Sequence, residues 1–124
     1  MALRVSALSN TTEIDLQGVN GDADGAAVGI EFGAELMRFS ESVASRDEAL
    51  EHRRRELLEA AGPAVLVDAA GVAANFQRMT RIADAIGIPV DDMSHEMGRQ
   101  VRQELGIDRF PSARNTLDRP QAVA

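Results

Sequence analysis

The chain contains no cysteine, no tryptophan and no tyrosine. The first absence excludes disulfides, thiolate nucleophiles and cysteine-ligated zinc. Two histidines are too few for the familiar histidine-rich zinc sites. Aromatic residues make up 3%, all of them phenylalanine. That leaves little on which single-stranded nucleic acid could stack, and it leaves the interior to Ala, Leu, Val, Ile and Met, which favours closely packed helices over a sandwich or barrel. Positive charge is in the minority: 13 Lys and Arg against 20 Asp and Glu, a formal net charge of −7. Such a balance repels phosphate backbones, so no nucleic-acid partner is expected. No apolar run approaches the roughly 18 residues of a membrane span. Met1 to Leu8 carry neither a basic start nor a long apolar stretch. No membrane association and a cytoplasmic location are the expectations.

What is present fits one domain. A length of 124 residues with 44% hydrophobic residues is enough for a single core. Residues 1–29 read as a mobile polar arm, because Ser6 to Thr12 and Gly18 to Gly25 are rich in Ser, Asn, Thr, Gly and Asp. A short strand over Glu13 to Val19 is compatible with the apolar piece Ile14 to Leu16. Residues 30–108 read as the helical domain, and residues 109–124, with Pro111 and Pro120, as an irregular tail.

Four helices are expected in the middle section. Phe32, Leu36, Phe39 and Val43 make a stripe over about Ile30 to Ala44. Ser45 and Glu48 have capping-box spacing, so a second helix is expected over about Arg46 to Ala61, ended by Gly62-Pro63. The third expectation has the strongest pattern: Val65, Ala69, Val72, Phe76, Met79, Ala83 and Ile86 alternate at spacings of four and three. Small residues from Ala69 to Ala74 permit close helix approach. This helix is expected to be the packing spine, central to the bundle or shared with another subunit. Gly87 suits a left-handed C′ position, with Pro89 beyond it. The fourth helix is expected over about Asp91 to Leu105, with Met93, Met97, Val101 and Leu105 inward and Gly106 at its end.

The stretch Leu58 to Gly62, then Leu66 to Ala74, Phe76-Gln77, Thr80-Arg81, Ile82-Ala83-Asp84 and Gly87-Ile88-Pro89 resembles the closing helices of the alkylhydroperoxidase D and carboxymuconolactone decarboxylase-like family. The likeness covers about Phe32 to Pro89 and is densest from Gly62 to Pro89. It implies an all-α bundle corresponding to the family's C-terminal half. Redox members carry a Cys-x-x-Cys pair followed by His on an upstream helix, and nothing before Ile30 supplies it here. Thr80 stands where many relatives carry Asn. Decarboxylase-type members need no cysteine, but their acid and base groups would also lie upstream. The resemblance therefore implies a relative without the reactive half.

Several groups merit testing as sites. Asn20, Asp22, Asp24 and Glu31, with Gly25, match positions 1, 3, 5, 12 and 6 of a calcium loop. Asn at the first position and Ala27 at the eighth weaken the match, and an acidic turn is the favoured reading. Arg78, Arg81 and Asp84 share a helix face, where a packing ion pair is favoured over an anion anchor at Arg81. His95 beside Glu96 is a general-base candidate weighed against an exposed first-turn pair. Asp68 lies in an apolar helix, where burial would raise its pKa. Arg53-Arg54-Arg55 is flanked by Glu51, Glu56 and Glu59 and reads as a solvated, paired face. The expectation is a non-catalytic or partner-dependent oligomerisation domain, without cofactor, that packs against identical chains or a longer relative. The alternatives are a cofactor-free decarboxylase or lactone-type enzyme using Arg81, His95 or Asp68, and a calcium-binding module.

Overall fold

The computed structural model describes residues 7–11, 13–26, 29–89 and 95–118, and no strand occurs among them. The protein is all-α. Three helices dominate: α1 (Gly33–Ser45), α2 (Leu50–Ile86) and α3 (Glu96–Leu105). Shorter turns lie at Leu16–Asn20, Ala23–Ala26, Ile107–Arg109, Pro111–Ala113 and Arg114–Leu117. Backbone contacts divide the chain within α2, into Ala2–Arg78 and Met79–Ala124. The division does not fall at the 29/30 and 108/109 boundaries expected from composition.

In the first part, the segment expected as a polar arm contains structure. Asp15 caps a 3₁₀ turn at Leu16–Asn20, its side chain accepting from the Gln17 N–H. Glu13 to Val19 therefore form no strand: one carboxylate one residue before Leu16 is a stronger local signal than a three-residue apolar piece. Leu16 and Ala26 are buried, and the Ala23–Ala26 turn lies against both the 3₁₀ turn and α1. Two glycines allow this approach. A Cβ on Gly33 would fall 1.8 Å from the Ala26 carbonyl oxygen, and one on Gly18 would fall 2.8 Å from the Ala26 Cα. Phe39 and Ser42 are the buried face of α1, with Leu36 and Val43 half-buried.

The second and third expected helices form one run, Leu50–Ile86, with a non-helical Gly62 inside it (φ 84°, ψ 173°). That backbone conformation is open to glycine and costly for other residues. Pro63 opens the following half, where its missing N–H costs nothing. Leu57 is fully buried. The second half of α2 is not the buried spine expected from its periodicity. Val67, Met79, Ile82 and Ile86 are each more than half exposed, Val72 is 58% exposed and Phe76 62%. The stripe exists, but the described residues leave it exposed.

The Met79–Ala124 part begins with the end of α2. Gly87 has φ 65°, and the Ile88 N–H donates to Ala83 O at 3.0 Å while the Gly87 N–H donates to Asp84 O at 3.2 Å. These are the two bonds of a Schellman stop, as the Gly-Ile-Pro sequence predicts. Asn115 approaches Gly87 from the C-terminal turn. In α3, Val101 is buried and Met97 and Leu105 are half-buried. Met93 and Asp91, expected in this helix, lie outside the described residues. Gly106, at φ 63°, ends it.

Candidate functional site

The concave features that stand out lie in the Ala2–Arg78 part, between α1 and the half of α2 that follows Pro63. One groove of about 530 Å³ is lined by Leu36 and Ser40 from α1 and by Val65, Asp68, Ala69, Val72, Ala73 and Phe76 from α2. A neighbouring one of about 620 Å³ shares Leu36, Ser40, Val72 and Phe76 and runs on to Val19, Ala26, Ile30 and Met37, with Asp15 at its edge. Their size is within the range of small-ligand pockets. Their chemistry is poor in reactive groups. Asp68 is the one ionisable side chain lining the first groove, and it is exposed. Asp15 in the second already accepts from the Gln17 N–H at 2.9 Å. Among the described residues no basic side chain lines either groove with Ser40, and a nucleophile–base pair needs one within hydrogen-bond reach.

The expected catalytic candidates do not gather in either groove. Arg81 and His95 belong to the Met79–Ala124 part, Asp68 to the other, and all three are exposed. His95 occupies the N-cap position of α3 in an extended conformation (φ −62°, ψ 124°), its imidazole making no capping bond. Beside it, Glu96 takes hydrogen bonds from Arg99 and, at 3.1 Å, from Gln100 Nε2. The Arg99 bond first, then the Gln100 bond, hold its carboxyl below the ordinary range. The pair is a first-turn surface feature. Arg78, Arg81 and Asp84 are all exposed, so the burial considered for a pair among them is not found, and Arg78 Nη2 donates to Asn75 Oδ1 at 3.0 Å.

In the calcium-loop candidate, Asn20 ends the 3₁₀ turn and its Nδ2 donates to Gln17 Oε1 at 3.2 Å. The Asp22 carbonyl accepts from the Ala26 N–H at 2.9 Å, which begins a helical turn. Glu31 is exposed in the turn before α1. The Asp24 side chain and Ala27 lie outside the described residues. Among the described residues, no three His, Cys, Asp or Glu side chains come together as a metal-binding group.

The arginine run is paired as its spacing predicts. Arg53 Nη1 donates to Glu56 Oε2 at 2.7 Å, Arg54 pairs with Glu51, and Arg55 Nε lies 3.8 Å from Glu51 Oε1. His52 Nε2 lies 3.2 Å from Glu56 Oε1. The Arg53 hydrogen bond is the main reason the Glu56 carboxyl sits below its usual range. This is a solvated face with internal charge balance.

The groove was missed in the sequence, although its two walls were not. Leu36 belonged to one expected stripe and Val72 and Phe76 to another; what periodicity cannot give is that the two stripes stand apart instead of closing on each other. No protein-family model, curated protein or solved structure matches this chain.

Proposed function

We propose that this protein is a non-catalytic oligomerisation domain that packs through the apolar half of α2. The observation that carries the reading is the exposure of Val72 at 58% and Phe76 at 62%, in a stripe that continues through the exposed Met79, Ile82 and Ile86. Burying a side chain of this size contributes about 1.5–3 kcal/mol each, so a contiguous face of them favours a partner strongly. The helical resemblance to the C-terminal part of alkylhydroperoxidase D and carboxymuconolactone decarboxylase-like proteins is part of the same proposal, supported by Phe76, Arg81, Ala83-Asp84 and the Gly87-Ile88-Pro89 stop.

Lipid is the competing cover. By length and composition α2 could cross a membrane, with an 18-residue window of mean hydropathy 1.5 that is 6% buried. A protein partner is favoured here because Asp68 lies inside that apolar stretch, where a charge at mid-membrane costs about 2.5–3.5 kcal/mol. Arg78, Arg81 and Asp84 follow along the same helix. A protein partner leaves those groups at a wet rim.

Sedimentation equilibrium of the full chain over a wide concentration range tests the reading. The expected mass is a multiple of 13.3 kDa, falling to a single chain in Phe76→Glu with helical circular dichroism retained. A wild-type chain that sediments at 13.3 kDa at every concentration would overturn it.

A further inference from the structure

We propose that Asn20 is a modification site at which the chain alters itself: its side-chain amide is lost to attack by the following backbone nitrogen, leaving aspartate or isoaspartate. Asn20 is followed by Gly21, whereas Asn10 precedes Thr11, Asn75 precedes Phe76 and Asn115 precedes Thr116. The reaction needs the next residue's backbone nitrogen to reach the asparagine Cγ, and a side chain on that residue obstructs the approach. Gly21 carries none, and its φ of 94° is a left-handed conformation that glycine adopts at no steric cost. Asn20 and Gly21 are both exposed, so water and hydroxide reach the peptide bond between them. The Gly21 N–H donates to Gly18 O at 3.2 Å, at the long end of such bonds. It closes the end of a short surface turn, where opening costs little.

The step balances with water as the only co-reactant. The Gly21 nitrogen gives its proton to hydroxide and bonds to Asn20 Cγ; the Cγ–Nδ2 bond breaks and ammonia leaves. Water then opens the cyclic imide at either carbonyl. One opening restores the backbone with aspartate, and the other routes it through the side chain as isoaspartate. Either product replaces the Asn20 Nδ2 donor to Gln17 Oε1 with a carboxylate. That carboxylate lies next to Asp22 and close to Glu41, whose Oε1 is 3.7 Å from where a Cβ on Gly21 would stand, and like charges at such range repel. Isoaspartate also lengthens the main chain just before the Ala23–Ala26 turn, which packs on α1. The modified chain holds that packing less well.

The test incubates the full chain at mildly alkaline pH and follows it by peptide mapping with fragmentation that localises each asparagine. The expected result is the mass gain of an amide-to-acid exchange at residue 20 before Asn10, Asn75 or Asn115, as a mixture of aspartate and isoaspartate. Its rate rises in proportion to hydroxide. Asp24-Gly25 can close the same ring, but it releases no ammonia and gains no mass, so it does not imitate this result. Asn20→Gln sets the amide one methylene further from the Gly21 nitrogen and is expected to lose the reaction. Earlier modification at another asparagine, or aspartate at residue 20 without isoaspartate, would overturn the proposal. The modified chain, one charge more negative than the formal −7, separates by anion exchange and is expected to unfold at a lower urea concentration. Equal midpoints for the two forms would overturn the stated effect on packing.

Discussion

At the scale of single residues, the tightest constraint is at Gly33. Its missing side chain lets α1 begin against the Ala26 carbonyl, where an added Cβ would sit at 1.8 Å. The obstacle is backbone, which cannot swing aside as a flexible side chain does. Gly33→Ala is therefore expected to destabilise the Ala2–Arg78 part by at least about 2 kcal/mol, the upper range of overpacking costs. A lowered midpoint in urea unfolding followed by circular dichroism checks it, and an unchanged midpoint contradicts the packing described. Nothing in the local sequence marks this glycine, because its neighbour is seven positions away across a turn. Asp68, Arg81 and His95 could be picked out by residue type; their exposure could not, since burial depends on which other elements arrive.

At the scale of elements, the start of α2 shows two capping signals in competition. Ser45-x-x-Glu48 has the spacing of a capping box, yet Ser45 ends α1, its Oγ 2.8 Å from the Glu41 carbonyl and 2.9 Å from Asp47 Oδ2. Asp47 takes the capping role, Oδ1 accepting from the Ala49 N–H at 3.0 Å. A charged acceptor closer to the first free N–H groups outcompetes a hydroxyl already engaged behind it. The Ser45 hydroxyl first, with Ser42 and the Ala49 N–H, holds the Asp47 carboxyl below its ordinary range. A depressed carboxyl contributes stability that is present above its unfolded-state pKa and is lost as pH falls through the folded one. Asp47→Ala is thus expected to melt at a lower temperature than wild type near pH 7, with the gap narrowing below about pH 4. A gap that stays constant or widens in acid would show that the carboxylate charge plays no part. Gly62-Pro63, Gly87 and Gly106 were legible as helix breaks and stops because each acts through its own backbone. The Leu16–Asn20 turn was not, since a single capping aspartate and five residues give no period to detect.

At the scale of the whole chain, the all-α class follows from the stripes in α1, α2 and α3, and these could be read directly. Coverage of the stripes could not. Periodicity shows that a helix has an apolar face, and it is silent on whether that face meets the same chain or another. The 64–86 half of α2 is the case where the two diverge: its pattern is that of a core helix, and Phe76 is 62% exposed. Hydrogen–deuterium exchange of the backbone amides from Ala64 to Ile86, followed against protein concentration, tests the central claim most directly, because association protects only what the partner helps to hold closed. A face covered by another copy predicts protection there that rises with concentration. Exchange in that half-helix that is equally fast at the lowest and highest concentrations would contradict it.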